Sequence, residues 1–432
     1  MDSVPDPSFD VVVVGAGPAG IAAAVRASES GARVALIDDN PAPGGQIWRG
    51  AASSSDHPEA KRWFAQLLKS GVTVMAGTRV FYARNGTLEA ESDDSLSHLR
   101  YGKLILATGA RELFLPFPGW TLPNVFGAGG LQALVKSGFP VEGKRVVVAG
   151  TGPLLLAVAA YLSERGADVV CICEQAPFSQ LRAFTLAMTS FPQKLVEAAQ
   201  LRFRSRRASY LTSSWVVAAL GQGRLQSVEI SVDHGVRAIE CDFLAWGFHL
   251  IPNLELARAL GCRLTDGSVE VSEVQETSEP GVYCAGEPTG IGGMELSIVE
   301  GQIAGYAAAG RSVSAGQLLR ARTRFRKVAR AMKKAFALRP ELRTLAKSDT
   351  LLCRCEDVSF ADARKYGSWR AAKLHSRCGM GPCQGRVCGA AAEFLFGWTM
   401  DSSRPPIFPV RCSSLAAICS PAGPAPRLGG SQ

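Results

Sequence analysis

Residues 9–39 read FDVVVVGAGPAGIAAAVRASESGARVALIDD, and this stretch decides the fold. Val11 to Val14 is an unbroken apolar run without the alternation of a half-exposed strand, so it is expected inside a parallel sheet covered on both faces. The turn that follows, Gly15, Ala16, Gly17, Pro18, Ala19 and Gly20, has G-x-G-x-x-G spacing. Gly15 permits the tight turn, Gly17 lets backbone approach a pyrophosphate, and Gly20 allows the helix to lie close on the strand. The next strand runs into Asp38, 23 residues after Gly15, where an acid accepts hydrogen bonds from an adenosine ribose; Asp39 follows it. Strand, helix and terminal acid in one context predict a dinucleotide site.

A second such unit lies at residues 143–174, GKRVVVAGTGPLLLAVAAYLSERGADVVCICE. Gly150 and Gly152 stand in the expected places, but Leu155 occupies the third glycine position, where bulk should push helix from strand. Glu174 ends the following strand; it would accept a 2′-hydroxyl and repel a 2′-phosphate, which disfavours NADP. The unit reads equally as a site for NAD or another adenine nucleotide and as a retained scaffold that binds nothing. Two flanking runs point to FAD in the first unit. They resemble those of two-dinucleotide-domain flavoproteins, a resemblance that implies that LILATG, with Ala107, Thr108 and Gly109, brings the chain back beside the cofactor and that GVYCAG, ending in Gly286 before Glu287, places an acid for the ribitol chain. The order of FAD half, inserted unit, FAD half also describes disulfide reductases, which need a cysteine pair facing the flavin. NPAPGGQIWRG at 40–50, carrying Gly45 and Gln46 toward the cofactor, has no cysteine, and the inserted unit offers only Cys171 and Cys173 on one strand face.

Twelve cysteines are many for a reducing compartment, and five of them fall between Cys353 and Cys388. Cys353 and Cys355 make C-x-C, and Cys378 and Cys383 make C-x4-C, so four thiolates on two short loops can converge on one site. Zinc sites more often use C-x2-C pairs. A [2Fe-2S] cluster is the expectation, with zinc and unligated thiols as alternatives. Cys388 is expected to be a packed helical cysteine, and Gly379, Gly381 and Gly385 to admit backbone close to inorganic sulfide. Cys171, Cys173, Cys241, Cys262 and Cys284 read as small buried hydrophobes. The five histidines (57, 98, 234, 249 and 375) form no pair at ligand spacing.

GAGPAG, DDNPAPGGQIWRG, ATGARE, GTGPLLLAVAAYL, TSEPGVYCAGEPTGIGGMELSIVEGQIAG and CRCEDV with CGMGPCQGR together resemble the FAD-containing A or α subunits of heteromeric amino-acid dehydrogenases, over Phe9 to about Val410. That group includes opine oxidase, hydrogen cyanide synthase, D-hydroxyproline dehydrogenase and dye-linked L-proline dehydrogenase. The resemblance implies an α/β chain with two Rossmann-like domains of pyridine nucleotide-disulfide oxidoreductase type and a small domain similar to bacterioferritin-associated ferredoxin. The FAD domain would occupy 1–120 and 270–312 and be split by the second at 121–269; a basic linker at 313–349, the [2Fe-2S] domain at 350–400 and a Pro-rich, disordered extension at 401–432 would follow. It implies a partner β subunit with its own flavin, and a possible small third subunit, that oxidises a proline, hydroxyproline, opine or glycine type substrate while this chain carries electrons to an acceptor. Sarcosine oxidase α subunits share the core but continue into a folate-binding region absent here. Glu287 replaces the usual Asp, which lengthens the arm to the ribitol, and Ser376 a common Thr. A free-standing NADH:acceptor reductase and a non-catalytic iron–sulfur protein are the other readings.

A net charge of +9 raises nucleic-acid binding, but Leu318 to Lys347 holds 11 basic residues and one acid, leaving 36 basic against 37 acidic elsewhere. One basic helix carries the imbalance. Its Phe325, Val328, Met332 and Phe336 recur at helical spacing, expected either to pack on the FAD domain or to dock an acidic partner. Gly290 to Gly293 and Arg404 to Val410 are further candidate contact surfaces. No leader-like or membrane-spanning run is read, and a cytoplasmic location is expected.

Overall fold

In the computed structural model, residues 8–50, 58–84, 86–93, 95–232, 235–311, 315–400 and 403–419 are described. His57, His234 and the extension from 420 onward lie outside them. The Val11 to Val14 run sits at the centre of a seven-stranded sheet: Ser8–Val14 pairs in parallel with Val34–Ile37 on one side and with Leu96–Leu106 on the other. Val282–Cys284 joins the far side of Leu96–Leu106, also in parallel, so the chain returns to the first sheet after a long excursion. All three carboxyl ends, at Val14, Leu106 and Cys284, lie in register beside the glycine turn.

The excursion builds a second sheet, five parallel strands centred on Arg145–Thr151, between Asp168–Glu174 and Phe243–Phe248. Leu254, Leu256, Ala257, Cys262 and Val269 pack in the core beneath the first sheet, and Leu250–Pro252 pairs with Ala110–Glu112 at the junction. The five scattered cysteines are buried in these cores, as expected.

Helix Met294–Ala308 crosses helix Pro18–Glu29 at backbone contact. A Cβ at Gly301 would lie 2.2 Å from the Ala19 carbonyl oxygen, and one at Gly305 would lie 2.3 Å from that of Ala23. Alanine at either position forces the pair apart, at about 1–3 kcal/mol. This crossing aims the start of Met294–Ala308 at the GAGPAG turn.

The basic helix, Ala315–Ala335, packs internally, though not as read. Val328, Met332 and Phe336 meet Phe184, Met188 and Phe191 of the inserted unit. Two of its arginines face the FAD domain: Arg326 pairs with buried Glu300, and Arg322 donates to the Glu273 carbonyl and Gln275. The Arg404 to Val410 strip also packs inward, Ile407 joining the first core and donating its N–H to the Phe81 carbonyl. No helix among the described residues is long and apolar enough to cross a membrane.

Candidate functional site

One cavity of about 2710 Å³ runs from the first glycine turn toward the second. Gly15, Gly17, Pro18, Ala19, Asp38, Asp39, Gly45, Gln46, Ala107, Thr108, Gly109 and Glu287 all line it. The other expected residues stand behind the wall and hold it. A Cβ at Gly20 would lie 1.7 Å from the Gly15 carbonyl oxygen, and one at Gly286 would lie 2.9 Å from the Ala19 Cβ. At Gly17 the space is open: a Cβ there meets nothing within 4 Å, while Gly45 approaches the Gly17 Cα from across the turn. That is a cradle for a group brought up to backbone N–H at a helix N-terminus, so the residues fit a dinucleotide pyrophosphate. Ala16 N–H donates to Asp38 Oδ2 at 2.5 Å, and Asn40 donates to Oδ1 from backbone and side chain, which fixes the carboxylate at the cavity edge.

Glu287 lines the cavity and turns its carboxylate to the glycine loop that follows it. Its carboxylate accepts from the N–H groups of Gly292 and Gly293 at 3.0 and 3.1 Å, and burial raises its pKa to about 7 against those two hydrogen bonds. The Gly290 to Gly293 segment is thus tied to the cavity floor. Two acids of the cavity wall escaped the sequence reading. Glu300, midway along the largely apolar helix Met294–Ala308, accepts from Gly286 N–H, Thr289 Oγ1 and Arg326. Glu112, in the ATGARE motif, accepts from Gly129 and Gly130 N–H at the start of helix Ala128–Lys136.

The second glycine turn is built differently. Glu174 is fully buried and absent from the cavity wall; its carboxylate accepts from Thr151 Oγ1, Gly152 N–H and Ala176 N–H. Burial raises its pKa to about 7, opposed by these bonds. The expected ribose acceptor is therefore spent on the loop itself. Leu155 is buried beside Val146 and Val148, filling the space that a third glycine would leave to the strand. Gly150 and Gly152 both adopt left-handed backbone, and only Gly152 faces the cavity.

The C-terminal cysteines come together. Cys353 ends the strand Leu351–Cys353, Cys355 follows in the turn, Cys378 and Cys383 lie on the loop after helix Trp369–Ser376, and Cys388 opens helix Cys388–Phe396. The sulfurs of Cys353, Cys378 and Cys388 lie within 4.8 Å of one another. Cys388, expected only to pack, also contacts Cys383, which in turn contacts Cys355. The signal was present: CGMGPCQGRVC contains two overlapping C-x4-C spacings. Hydrogen bonds from Cys378 and Cys388 hold the Cys353 thiol down at about 2, and the bond from Cys388 lowers Cys383 to about 5. Gly379 N–H points at the Cys353 sulfur at 3.4 Å, and Arg377 Nε bonds Glu356 at 2.7 Å, stapling the two loops. Five convergent sulfurs, one with a backbone N–H, fit a soft-metal or iron–sulfur group.

Cluster and cavity share a wall. Arg386, three residues past Cys383, lines the cavity; its carbonyl accepts from Arg111 Nε at 3.1 Å, and Glu255 pairs with both guanidiniums. Burial lowers both arginine pKa values, with Glu255 opposing.

Residues 9–312 match the family model described as pyridine nucleotide-disulphide oxidoreductase. The chain is 33% identical to the A subunit of opine oxidase from Rhizobium meliloti (strain 1021), over 96% of this chain and 99% of that one. It is 32% identical to the HcnB subunit of hydrogen cyanide synthase from Pseudomonas aeruginosa, over 87% and 90% respectively. The solved structure of L-proline dehydrogenase from P. horikoshii superposes with a TM-score of 0.66 at 19% identity, covering 96% of this chain and 81% of that one, a likeness of fold.

Proposed function

We propose, for a chain that belongs to the pyridine nucleotide-disulphide oxidoreductase family and is a flavin-dependent oxidoreductase related to the opine oxidase A subunit and HcnB, that it is the electron-transferring subunit of a heteromeric amino-acid dehydrogenase. FAD and a [2Fe-2S] cluster would supply two-electron and one-electron chemistry respectively. The observation that carries this reading is the shared wall: Arg111 of the flavin-side ATGARE motif and Arg386 of the cysteine loop are bonded to each other and to one carboxylate, Glu255.

The chain's own residues divide the work. Gly15, Gly17 and the N-terminus of helix Pro18–Glu29 hold the pyrophosphate, and Asp38 the adenosine. Glu112 caps the helix Ala128–Lys136, and Glu287 ties down the loop that enters Met294–Ala308. Cys388, touching three of the other four thiols, takes a place in the ligand set. The sequence-derived set of Cys353, Cys355, Cys378 and Cys383 therefore gives up one member. Five single Cys→Ser variants decide which: four should lose iron, acid-labile sulfide and the paramagnetic signal of the reduced protein, Cys388→Ser among them, and one should keep them. Stoichiometric zinc without iron in anaerobically purified protein would sink the cluster.

The substrate class is proline, hydroxyproline, an opine or glycine, oxidised on a partner flavoprotein; relatives whose names are those of A, HcnB and α subunits support a partner. The second unit serves as scaffold, supported by the spent carboxylate of Glu174. The deciding assay supplies each candidate amino acid and an artificial dye to the purified chain, alone and with its co-purifying flavoprotein. Dye reduction should require both chains, and NADH should not bleach the flavin. Robust turnover by the chain alone would place the substrate site in its own cavity.

A further inference from the structure

Helices Phe178–Ala187 and Pro192–Arg204 of the inserted unit carry no fully buried residue between them. They are anchored from one side, by Met188 and Phe191 of the turn that joins them and by Leu181, Phe184 and Leu195, all packed toward the basic helix and Phe336. Their inner faces, through Leu181, Phe184, Leu195 and Leu201, line the cavity. Their outer faces do not, yet they hold Phe178, Leu186, Val196 and Phe203 at 67%, 64%, 55% and 65% exposure. Phe178 and Leu186 are eight residues apart and Val196 and Phe203 seven, so each helix presents its pair on one side. Helices of this length owe their stability to packing, and among the described residues only their inner faces are packed.

Charge narrows what covers them. Residues 178–207 hold six basic residues, five of them Arg, against Glu197, and the adjoining stretch 315–335 holds eight and no acid. Arg182, Arg206, Arg207, Arg320 and Lys327 make no ion pair among the described residues. A second copy of the same basic face would repel this one. Arginine with exposed phenylalanine is the composition of a protein interface, where lysine is depleted.

We propose that this outer face is the dock for the partner flavoprotein subunit, which meets it with an apolar patch rimmed by Asp and Glu. The inference rests on the function proposed above and locates its interface. A flavoprotein seated here braces the thin wall of the cavity from outside.

Hydrogen–deuterium exchange on the purified dye-reducing complex and on the isolated chain tests it without any substitution. Amides in 178–207 should slow by about 10-fold or more in the complex. The double variant Phe178→Glu, Phe203→Glu, with wild-type FAD content and melting temperature, should elute free of the second subunit. Protection confined to other segments, with the variant still in complex, overturns the dock while leaving the two-chain dehydrogenase standing. Failure to obtain any dye-reducing complex sinks both. Co-sedimentation of the wild-type chain with phosphatidylglycerol vesicles at physiological salt, lost in the variant, would assign the face to a lipid surface and overturn the proposal.

Discussion

In the first glycine unit Asp38 is clamped by Ala16 and Asn40 but still borders the cavity; in the second Glu174 is drawn wholly inward onto Thr151, Gly152 and Ala176. Both units keep the parallel strands, the turn and the terminal acid. They part at one helix position: Gly20 sits against the Gly15 carbonyl, whereas Leu155 fills a core. The same spacing thus leaves the terminal acid at a cavity edge in one unit and inside its own loop in the other.

The largest expected effect separates the two turns directly. Gly17→Leu has room for its Cβ, so the chain should fold, but the side chain would occupy the cradle; FAD content, measured by absorbance after heat release, should fall at least about 10-fold. Full FAD content in that variant would remove the first unit's claim to the cofactor. Next, Leu155→Ala should cost about 2–5 kcal/mol in denaturant unfolding, because the residue is buried in a core. A change below about 0.5 kcal/mol, the range of surface substitutions, would mean that the position is not packed as described.

The smallest effect is a slope. The folded pKa of Glu174, about 7, lies above its ordinary 4.5, so the folded state holds the extra proton between those values. Stability from this group is greatest below pH 4.5 and declines as pH rises toward 7, by roughly 1–3 kcal/mol. Glu174→Gln should flatten that decline in melting curves taken from about pH 5 to 8. Wild-type and variant curves that run parallel would show that the carboxylate is not buried as described.

Gly15, Gly17, Gly20 and Asp38 were legible because their roles are local: a turn, an approach and a strand end are set by spacing alone. Glu174 has the same local setting, and its reversal depends on a hydroxyl 23 residues away at Thr151, which spacing cannot report. The basic helix repeated its apolar residues at the right interval, but the choice of partner was tertiary, and Phe184 and Phe191 of the inserted unit took the stripe. Cys388 was set aside because one C-x4-C pair sufficed to complete a set of four; its place at the first turn of a helix is what brings its sulfur among the others.

The joint between the cysteine domain and the rest bears on how such a chain could have been assembled. Trp120 Nε1 donates to the Leu351 carbonyl at 2.7 Å, and Leu342 and Leu345 are buried in the inserted unit's core, which Val387, Ala390 and Phe394 cover from the cysteine domain. A cysteine-rich module attached by a tether could be removed without penalty to its host. This one is mortised in: ending the chain at 349 would strip that core, unpair a buried indole and leave Arg111 and Glu255 without Arg386. Swapping in the corresponding domain of a relative should therefore succeed only when the facing residues on both sides of the joint travel together.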